Sequence, residues 1–160
     1  MKVLIKNKYI SWRGSSYVTD DAGNQIFLVK GKLFSMRRKK FIYDMDGNLL
    51  YRVQNKFFNW FVHYAYVFDA DGEKICAVKD RWFNINKEYF ILGTKDSYKI
   101  DGRFASRDSR IVRNGEIIAF IHRDFNILRD SFQMEAPVEE IPFLSALVIA
   151  IDNISDNKSD

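Results

Sequence analysis

The most concentrated charge in this sequence is the run Arg37-Arg38-Lys39-Lys40, which lies between Met36 and Phe41. Adjacent cations beside apolar side chains can dock on anionic phospholipid headgroups, each contributing about 1 kcal/mol near such a surface. The same run is also typical of a solvated hairpin tip, where positive charge keeps a sheet edge from pairing with another chain. Both interpretations stay open from the sequence.

Further cations lie in the short segments that separate apolar runs: Lys30, Lys32, Lys56, Lys79, Arg81 and Arg123. If these segments gather at one end of the fold, their charges form a positive ring that can hold a phosphate, although Asp80 and Asp124 would partly cancel it. Scattered surface charge that keeps the protein soluble is the alternative. The candidate anion- or lipid-binding residues are therefore Arg37, Arg38, Lys39, Lys40, Lys32, Lys56 and Arg81.

A cluster of aromatic residues, Phe57-Phe58-Asn59-Trp60-Phe61, follows the second of these segments. The cluster can start a strand whose rings pack in the core, but its consecutive residues cannot all point inward because side chains alternate along a strand. Aromatic surface patches bind proteins or enter the interface of a bilayer. Phe58, Trp60 and Phe61 are thus the candidate residues for binding a protein partner.

Signatures of catalysis and of metal binding are missing. The segments Asp44–Gly47 and Asp69–Gly72 place glycine fourth, whereas an EF-hand calcium loop needs it sixth, so they predict hairpin turns. His63, His122 and the single cysteine, Cys76, lack the spacing of a zinc site. No Gly-x-Ser-x-Gly elbow is present. We expect no metal, no cofactor and no enzymatic activity, and an enzyme with an unrecognised site is the less favoured alternative.

Composition sets the class of the protein. The 160 residues are 47% hydrophobic, 29% charged and 16% aromatic, which fits one globular domain rich in strands. A net charge of +4 permits an acidic surface as partner but lacks the concentrated basic face of a nucleic-acid-binding protein. One cysteine excludes an internal disulfide, and lysines interrupt the N-terminal apolar run. We expect a cytoplasmic protein, peripheral at the membrane if it binds lipid.

The elements that position these residues follow from an internal repeat. Gly23, Gly47, Gly72 and Gly115 each sit in a polar turn between apolar runs, and the residue six positions later is Val29, Val53, Val78 or Ile121. Alternation of apolar and charged residues around these positions indicates strands with one buried face. Each unit reads as turn, strand, polar segment and aromatic strand start, with Phe57 beginning one such strand. A further strand pair is expected at Tyr89–Leu92 and Tyr98–Arg103.

About twelve strands result, and a sheet of that size tends to close on itself, which removes its edges. Side chains of the strands alone cannot fill the interior of a barrel of that width. The apolar segment Ile141–Ile151 is the candidate for a buried helix that fills it. It is too short to cross a bilayer, which takes about 20 residues. Pro142 suits its first turn, and Ser145 can bond back to a carbonyl one turn earlier. We expect one domain over residues 1–154 and a frayed polar tail over residues 155–160.

This arrangement resembles the LURP-one-related proteins of bacterial type, which share the tubby C-terminal-like fold with tubby domains and phospholipid scramblases. The resemblance rests on the Asp-x-x-Gly-Asn turns, the strand endings Val29–Ser35 and Val78–Phe83, the turn Arg113–Glu116 and the apolar helix Phe143–Ile154. It implies a mostly β, twelve-stranded antiparallel closed barrel threaded by its hydrophobic C-terminal helix. Tubby domains bind phosphoinositides and scramblases act at membranes, so the resemblance implies a non-enzymatic binding module for anionic phospholipid. A protein-protein interaction domain is the alternative.

Overall fold

The structure is a computed structural model that describes residues 1–6, 15–31, 38–57, 63–80, 89–102, 108–126 and 129–156. Its strands are β1 Lys2–Lys6, β2 Ser15–Asp20, β3 Gln25–Gly31, β4 Lys40–Tyr43, β5 Leu49–Asn55, β6 Tyr64–Phe68, β7 Lys74–Asp80, β8 Tyr89–Leu92, β9 Tyr98–Gly102, β10 Asp108–Arg113, β11 Glu116–Asn126 and β12 Arg129–Glu135. Each strand pairs antiparallel with its sequence neighbours, and β1 pairs with β12 to close the barrel. The predicted twelve-stranded closed barrel is confirmed.

Two of the hairpin turns share a pair of hydrogen bonds, and a third turn repeats one of them, from the Glu73 backbone N–H to Asp69 Oδ1 over 2.8 Å. In the first, the Asn24 backbone N–H donates to Asp20 Oδ1 over 2.7 Å, and the Asn24 side-chain amide donates to Asp20 Oδ2 over 2.8 Å. Asp44 and Asn48 repeat both bonds. These turns therefore depend on the aspartate that precedes glycine by three positions as much as on the glycine itself. The turn at Asn114 and Gly115 differs: both residues have positive φ, 51° and 89°, as a two-residue type I′ turn requires.

The repeat predicted the inward positions correctly and one strand start incorrectly. Val29, Val53, Val78 and Ile121 are all buried, at exposures of 5% or less. Phe57, however, does not begin a strand: β5 ends at Asn55, β6 begins at Tyr64, and the Phe57 side chain is 44% exposed. Aromatic residues favour strands only where cross-strand neighbours cover them, so propensity alone could not place this boundary.

A 3-10 turn, Val138–Glu140, leads into the helix α1, Ile141–Asp156, which runs through the barrel. Leu144, Leu147 and Ile151 are completely buried, so the predicted internal helix is confirmed. The expected frayed tail is wrong at its first residue, since Ser155 is helical and its hydroxyl lies 2.8 Å from the Tyr89 hydroxyl. The helix contacts β5, β6 and β7, and so lies against one wall of the barrel.

Ser145 gives a stability prediction. Its hydroxyl is buried and has no hydrogen-bond partner among the described residues, so the expected bond to a carbonyl one turn earlier is absent there. We expect Ser145→Ala to raise the free energy of unfolding by about 1 kcal/mol, because a desolvated hydroxyl is removed and alanine favours helix. Denaturant unfolding measures the change. The reverse substitution at a completely buried neighbour, Ala150→Ser, should lower stability; a Ser145→Ala protein less stable than wild type would contradict the account.

Candidate functional site

The two ends of the barrel differ in their residues. The turns at Gly23, Gly47, Gly72, Gly93 and Gly115 lie at the end where the helix begins, which we name the turn end. Strands β1, β3, β5, β7 and β9 finish at the opposite end, where the helix also finishes, and we name it the loop end. This arrangement follows from the antiparallel order of the strands. Every second strand runs in the same direction, so alternate strands finish at the same end of the barrel. The polar segments that carry Lys30, Lys56, Lys79 and Arg123 therefore start from the loop end of the barrel. Gathering at one end is the condition under which the sequence predicts a positive ring.

The outer surface of β3–β9 carries alternating cations and aromatic rings, which we name the basic–aromatic face. One cross-strand row consists of directly paired residues from β3 to β7: Lys30, Phe41, Arg52, Phe68 and Lys74. A second row runs from β6 to β9: Tyr64, Lys79, Phe90 and Lys99. Residues paired in this way lie on one side of the sheet, so their side chains can contact each other.

Cations of the face lie over its rings. The Arg52 guanidinium carbon is 4.3 Å from the Phe68 ring centroid, and the ammonium of Lys79 is 5.7 Å from that of Tyr64. Similar contacts join Lys30 to Tyr43 at 5.2 Å, Lys56 to Tyr64 at 5.4 Å and Lys74 to Tyr66 at 5.6 Å. Such cation–π contacts are worth about 0.5–1 kcal/mol at exposed sites and leave the cation charged. The rings thus hold the positive charges in place without neutralising them.

Acidic residues are nearly missing from this part of the sheet. Within the described strands β3–β8, the only carboxylate belongs to Asp80, which is 1% exposed and so does not belong to the outer surface. On β9, Asp101 accepts a hydrogen bond from Arg110 of β10 over 3.3 Å. Carboxylates continue around the other wall at Asp108, Glu116 and Glu135. The outer surface of the barrel therefore has a basic wall on β3–β8. On the remaining strands, acidic and basic residues occur together, and we name this part the mixed wall.

The structure describes three of the four cations in the run Arg37–Lys40, and none of these three is fully exposed. Arg37 lies outside the described residues, as do Lys32 and Arg81. Arg38 and Lys39 are half-buried, and the Arg38 carbonyl accepts a bond from the Asn153 side chain over 3.0 Å. The Lys40 ammonium lies 3.7 Å from the Asp152 carboxylate. Lys40 therefore anchors the helix and is not a freely exposed headgroup ligand.

A polar cluster holds the last turn of the helix at the loop end. The Asn55 amide donates to the Asn153 carbonyl over 3.2 Å, and Asp152 is 3% exposed beside Lys40. A cation near a helix C-terminus is favourable because the last carbonyls carry partial negative charge. Burial raises the pKa of Tyr89 to about 12, although its hydrogen bond with Ser155 acts in the opposite direction. The Tyr89 hydroxyl therefore stays protonated at neutral pH.

Cys76 and Asp44 are titratable groups whose pKa values are shifted by their surroundings. Burial raises the pKa of the Cys76 thiol to about 12, which leaves too little thiolate for a nucleophile. The pKa of Asp44 is lowered, chiefly by the hydrogen bond from the Asn48 side chain, which marks it as a turn residue. The described residues contain no group of three or more Cys, His, Asp or Glu placed to hold a metal ion. Among those same residues, no helix has both the length and the hydropathy needed to cross a lipid bilayer.

The aromatic candidates Phe58, Trp60 and Phe61 lie outside the described residues, and their neighbour Phe57 is exposed. Sequence reasoning missed most of the basic–aromatic face, including Arg52, Lys74 and Lys99. The sequence did contain one sign of this face: in β3–β8, the positions that alternate with the buried residues are never acidic. The pairing of those positions into rows depends on register and is not visible in the sequence.

A closed antiparallel barrel around a buried C-terminal helix is the structural class to which this chain belongs. The family model for LURP-one-related proteins matches residues 1–152, and the chain belongs to this family. The crystal structure of an Arabidopsis thaliana protein is similar to it, with a TM-score of 0.64 and 18% sequence identity. The similarity covers 96% of this chain and 91% of that protein, and at this identity it shows the shared fold. Among curated proteins, no sequence matches at a significant level.

Proposed function

We propose that this protein is a non-enzymatic binding module whose basic–aromatic face engages anionic phospholipid headgroups at a membrane surface. The observation that carries the proposal is the pair of cross-strand rows in which cations alternate with rings and no exposed carboxylate intervenes on β3–β8. Five cations belong to the rows: Lys30, Arg52, Lys74, Lys79 and Lys99. Lys99 on β9 lies six strands from Lys30 on β3 around the closed barrel, so one flat surface meets at most the four cations of β3–β7, which would supply about 4 kcal/mol at low salt at about 1 kcal/mol each.

The form of the face fits a membrane surface. Its cations are spread across several strands, so they meet many headgroups at once, while the mixed wall with Asp108 and Glu135 would be repelled. Aromatic rings suit the headgroup region because they are apolar with a polar edge. The resemblance to tubby domains, which bind phosphoinositides, supports the same class of ligand.

Vesicle co-sedimentation tests the proposal with phosphatidylcholine alone and with added phosphatidylserine. We expect wild-type protein to sediment only with the anionic vesicles and to be released as salt rises, since exposed charges are screened. The double variant Lys30→Gln/Lys79→Gln should bind about thirtyfold more weakly, which corresponds to about 2 kcal/mol for two cations. Equal binding to both kinds of vesicle by folded wild type would overturn the proposal.

A matched control removes the same charge elsewhere. Lys2 pairs with Glu135 at 3.9 Å on the mixed wall, and Lys95 is exposed at the turn end. Lys2→Gln/Lys95→Gln should therefore bind anionic vesicles within about twofold of wild type if the face is responsible. If both double variants lose affinity equally, net charge alone drives binding and the face has no special role.

The run Arg37–Lys40 is tested separately, with Lys40 left unchanged because it holds Asp152. Loss of binding in Arg37→Ser/Arg38→Ser/Lys39→Ser would extend the membrane-binding surface to the loop end.

The second candidate function, a protein-interaction domain, is favoured by the exposed Phe57 at the start of the aromatic cluster. A protein-interaction domain should form a complex with its partner that persists at high salt and is lost in Trp60→Ala. Lipid binding, in contrast, should weaken as salt rises.

A further inference from the structure

A cross-strand row on the mixed wall carries charges whose order reverses about a central ring. Directly paired residues of β1, β12, β11, β10 and β9 form this row, in the order Lys2, Glu135, Phe120, Arg110 and Asp101. On one side of Phe120 the charges run negative then positive, and on the other side they run positive then negative. Residues paired in this way project from the same side of the sheet, here the outer side, because Phe120 is exposed. We name this set the Phe120 row.

An apolar strip lies at the centre of the Phe120 row. The Phe120 ring is 55% exposed, more than any other aromatic side chain in the described part of the chain. Ile117, which precedes it on β11, is 47% exposed and pairs directly with the half-buried Val112. A single exposed apolar side chain is ordinary, but an apolar strip bordered by charges on both sides is typical of a surface that binds protein.

The charges beside the ring keep the capacity for another partner. The Lys2 ammonium lies 3.9 Å from the Glu135 carboxylate, and both side chains are more than half exposed. The Arg110 guanidinium lies 3.3 Å from the Asp101 carboxylate, and both side chains are nearly half exposed. Pairs so open to water contribute little to stability, and a carboxylate or a guanidinium can take more than one ionic partner. Glu135 and Arg110 can therefore each accept a second opposite charge.

A second copy of the chain presents the complementary order. In a dimer whose two-fold axis runs along β11 at Phe120, a residue one strand to one side of the axis faces a residue one strand to the other side. Glu135 then faces Arg110 of the second copy, and the two Phe120 rings meet. On both sides of the rings, charges alternate through Lys2 and Glu135 of one copy and Arg110 and Asp101 of the other. An axis across the strands would bring like charges together instead.

The neighbouring row has the same symmetry. Asp108, His122 and Gln133 are directly paired on β10, β11 and β12, and all three are exposed. With the axis along β11, the Asp108 carboxylate faces the Gln133 amide of the second copy, which can donate a hydrogen bond to it. His122 lies on the axis, with its ring nitrogen 2.7 Å from Asp108 Oδ1 of its own copy. Two adjacent rows thus agree on one axis.

We infer that the mixed wall binds a second copy of this chain through β10, β11 and β12, in a two-fold dimer with Phe120 on the axis. A barrel is convex, so only these three strands approach their counterparts closely. Small contacts of this kind give weak, reversible dimers. The basic–aromatic face includes β5, six strands from β11 in the closed barrel, and so lies on the opposite side. The inference goes beyond membrane binding, and its experiments contain no lipid, so each proposal can fail without the other.

Sedimentation velocity of wild type between about 10 μM and 1 mM is the first experiment, a range chosen for a weak contact. We expect the mean mass to rise from that of one chain toward that of two as the concentration increases. Added salt should reduce the rise, because exposed charges are screened. Folded wild type that stays monomeric over the whole range would overturn the inference.

Charge reversal shows whether the named residues meet. Arg110→Glu turns both contacts between residues 110 and 135 into pairs of negative charges, and Glu135→Arg turns both into pairs of positive charges. Each variant alone should dimerise about thirtyfold more weakly than wild type. A mixture of the two restores opposite charges at both contacts and should form a heterodimer within about threefold of wild-type affinity. A mixture that fails to associate, or single variants that dimerise as tightly as wild type, would contradict the proposed contact.

The matched controls reverse the same charges away from the Phe120 row. Lys95 and Glu73 are exposed at the turn end, and Lys95→Glu and Glu73→Arg should each dimerise as wild type does. Circular dichroism confirms that every variant is folded. If the controls lose as much affinity as Arg110→Glu and Glu135→Arg, net charge governs association and the inference is wrong.

Cross-linking locates the axis. Ile117 lies beside the axis and Leu92 lies on β8, three strands away, and the two side chains are equally exposed at 47%. A bis-maleimide with a spacer of about 10 Å, the separation of packed sheets, should join Ile117→Cys chains at least about tenfold faster than Leu92→Cys chains. The chain's own Cys76 is 1% exposed and should not react. Equal rates for the two variants would show that β11 does not lie at the dimer axis and would overturn the inference.

Discussion

Leu144→Asp is expected to abolish folding. Leu144 is completely buried on the internal helix, in the half of α1 nearest the turn end. Loss of a buried leucine side chain alone costs about 2–5 kcal/mol, and an uncompensated carboxylate in the same place adds several kcal/mol more. Since a domain of this kind is stable by about 5–15 kcal/mol, the folded state would no longer be the favoured one.

Circular dichroism and a thermal melt measure this outcome. Val138→Asp introduces the same charge three residues before the helix, at a side chain that is 64% exposed, and should melt within a few degrees of wild type. A Leu144→Asp protein that melts cooperatively near the wild-type temperature would show that the helix does not fill the barrel.

Gly102→Ala should destabilise the barrel by about 2–5 kcal/mol. Gly102 has φ +99°, and a Cβ added there would lie 2.8 Å from the Asp108 carbonyl oxygen. The left-handed conformation costs alanine about 1–2 kcal/mol, and pushing apart the paired strands β9 and β10 costs about 1–3 kcal/mol more. For a protein of this size, the melting temperature should fall by about 10 °C.

Gly47→Ala separates the two causes. Gly47 has a similar φ of +88°, but an added Cβ would meet nothing within 4 Å. Only the conformational cost remains, so Gly47→Ala should lose about 1–2 kcal/mol. The difference between the two variants in denaturant unfolding therefore measures the close approach of the backbone at Gly102. Equal destabilisation would mean that strand contact there contributes nothing.

The sequence was sufficient for features that depend on neighbours along the chain. Glycines in polar turns need positive φ wherever the chain folds, and alternation along a strand identifies the inward residues, such as Val53 and Val78, without knowledge of the partner strand. The helix was predictable because Ile141–Ile151 is apolar on nearly all sides. Sequence reasoning failed at Phe57, which was expected to start a strand, because aromatic propensity is realised only when another strand covers the ring.

Features that depend on register required the tertiary structure. Phe41, Arg52 and Phe68 belong to different strands, and only their pairing places a cation between two rings. The partnership of Lys40 with Asp152 joins residues far apart in the chain, and it turns one member of an apparent surface run into an anchor of the helix.

Local rules of backbone and periodicity thus determined from the sequence that this protein is a barrel of repeated hairpins closed around a helix. Which charges share a surface and which are neutralised were decided only by three-dimensional packing. The physical reason is that such contacts join residues whose separation along the chain carries no information about their separation in space.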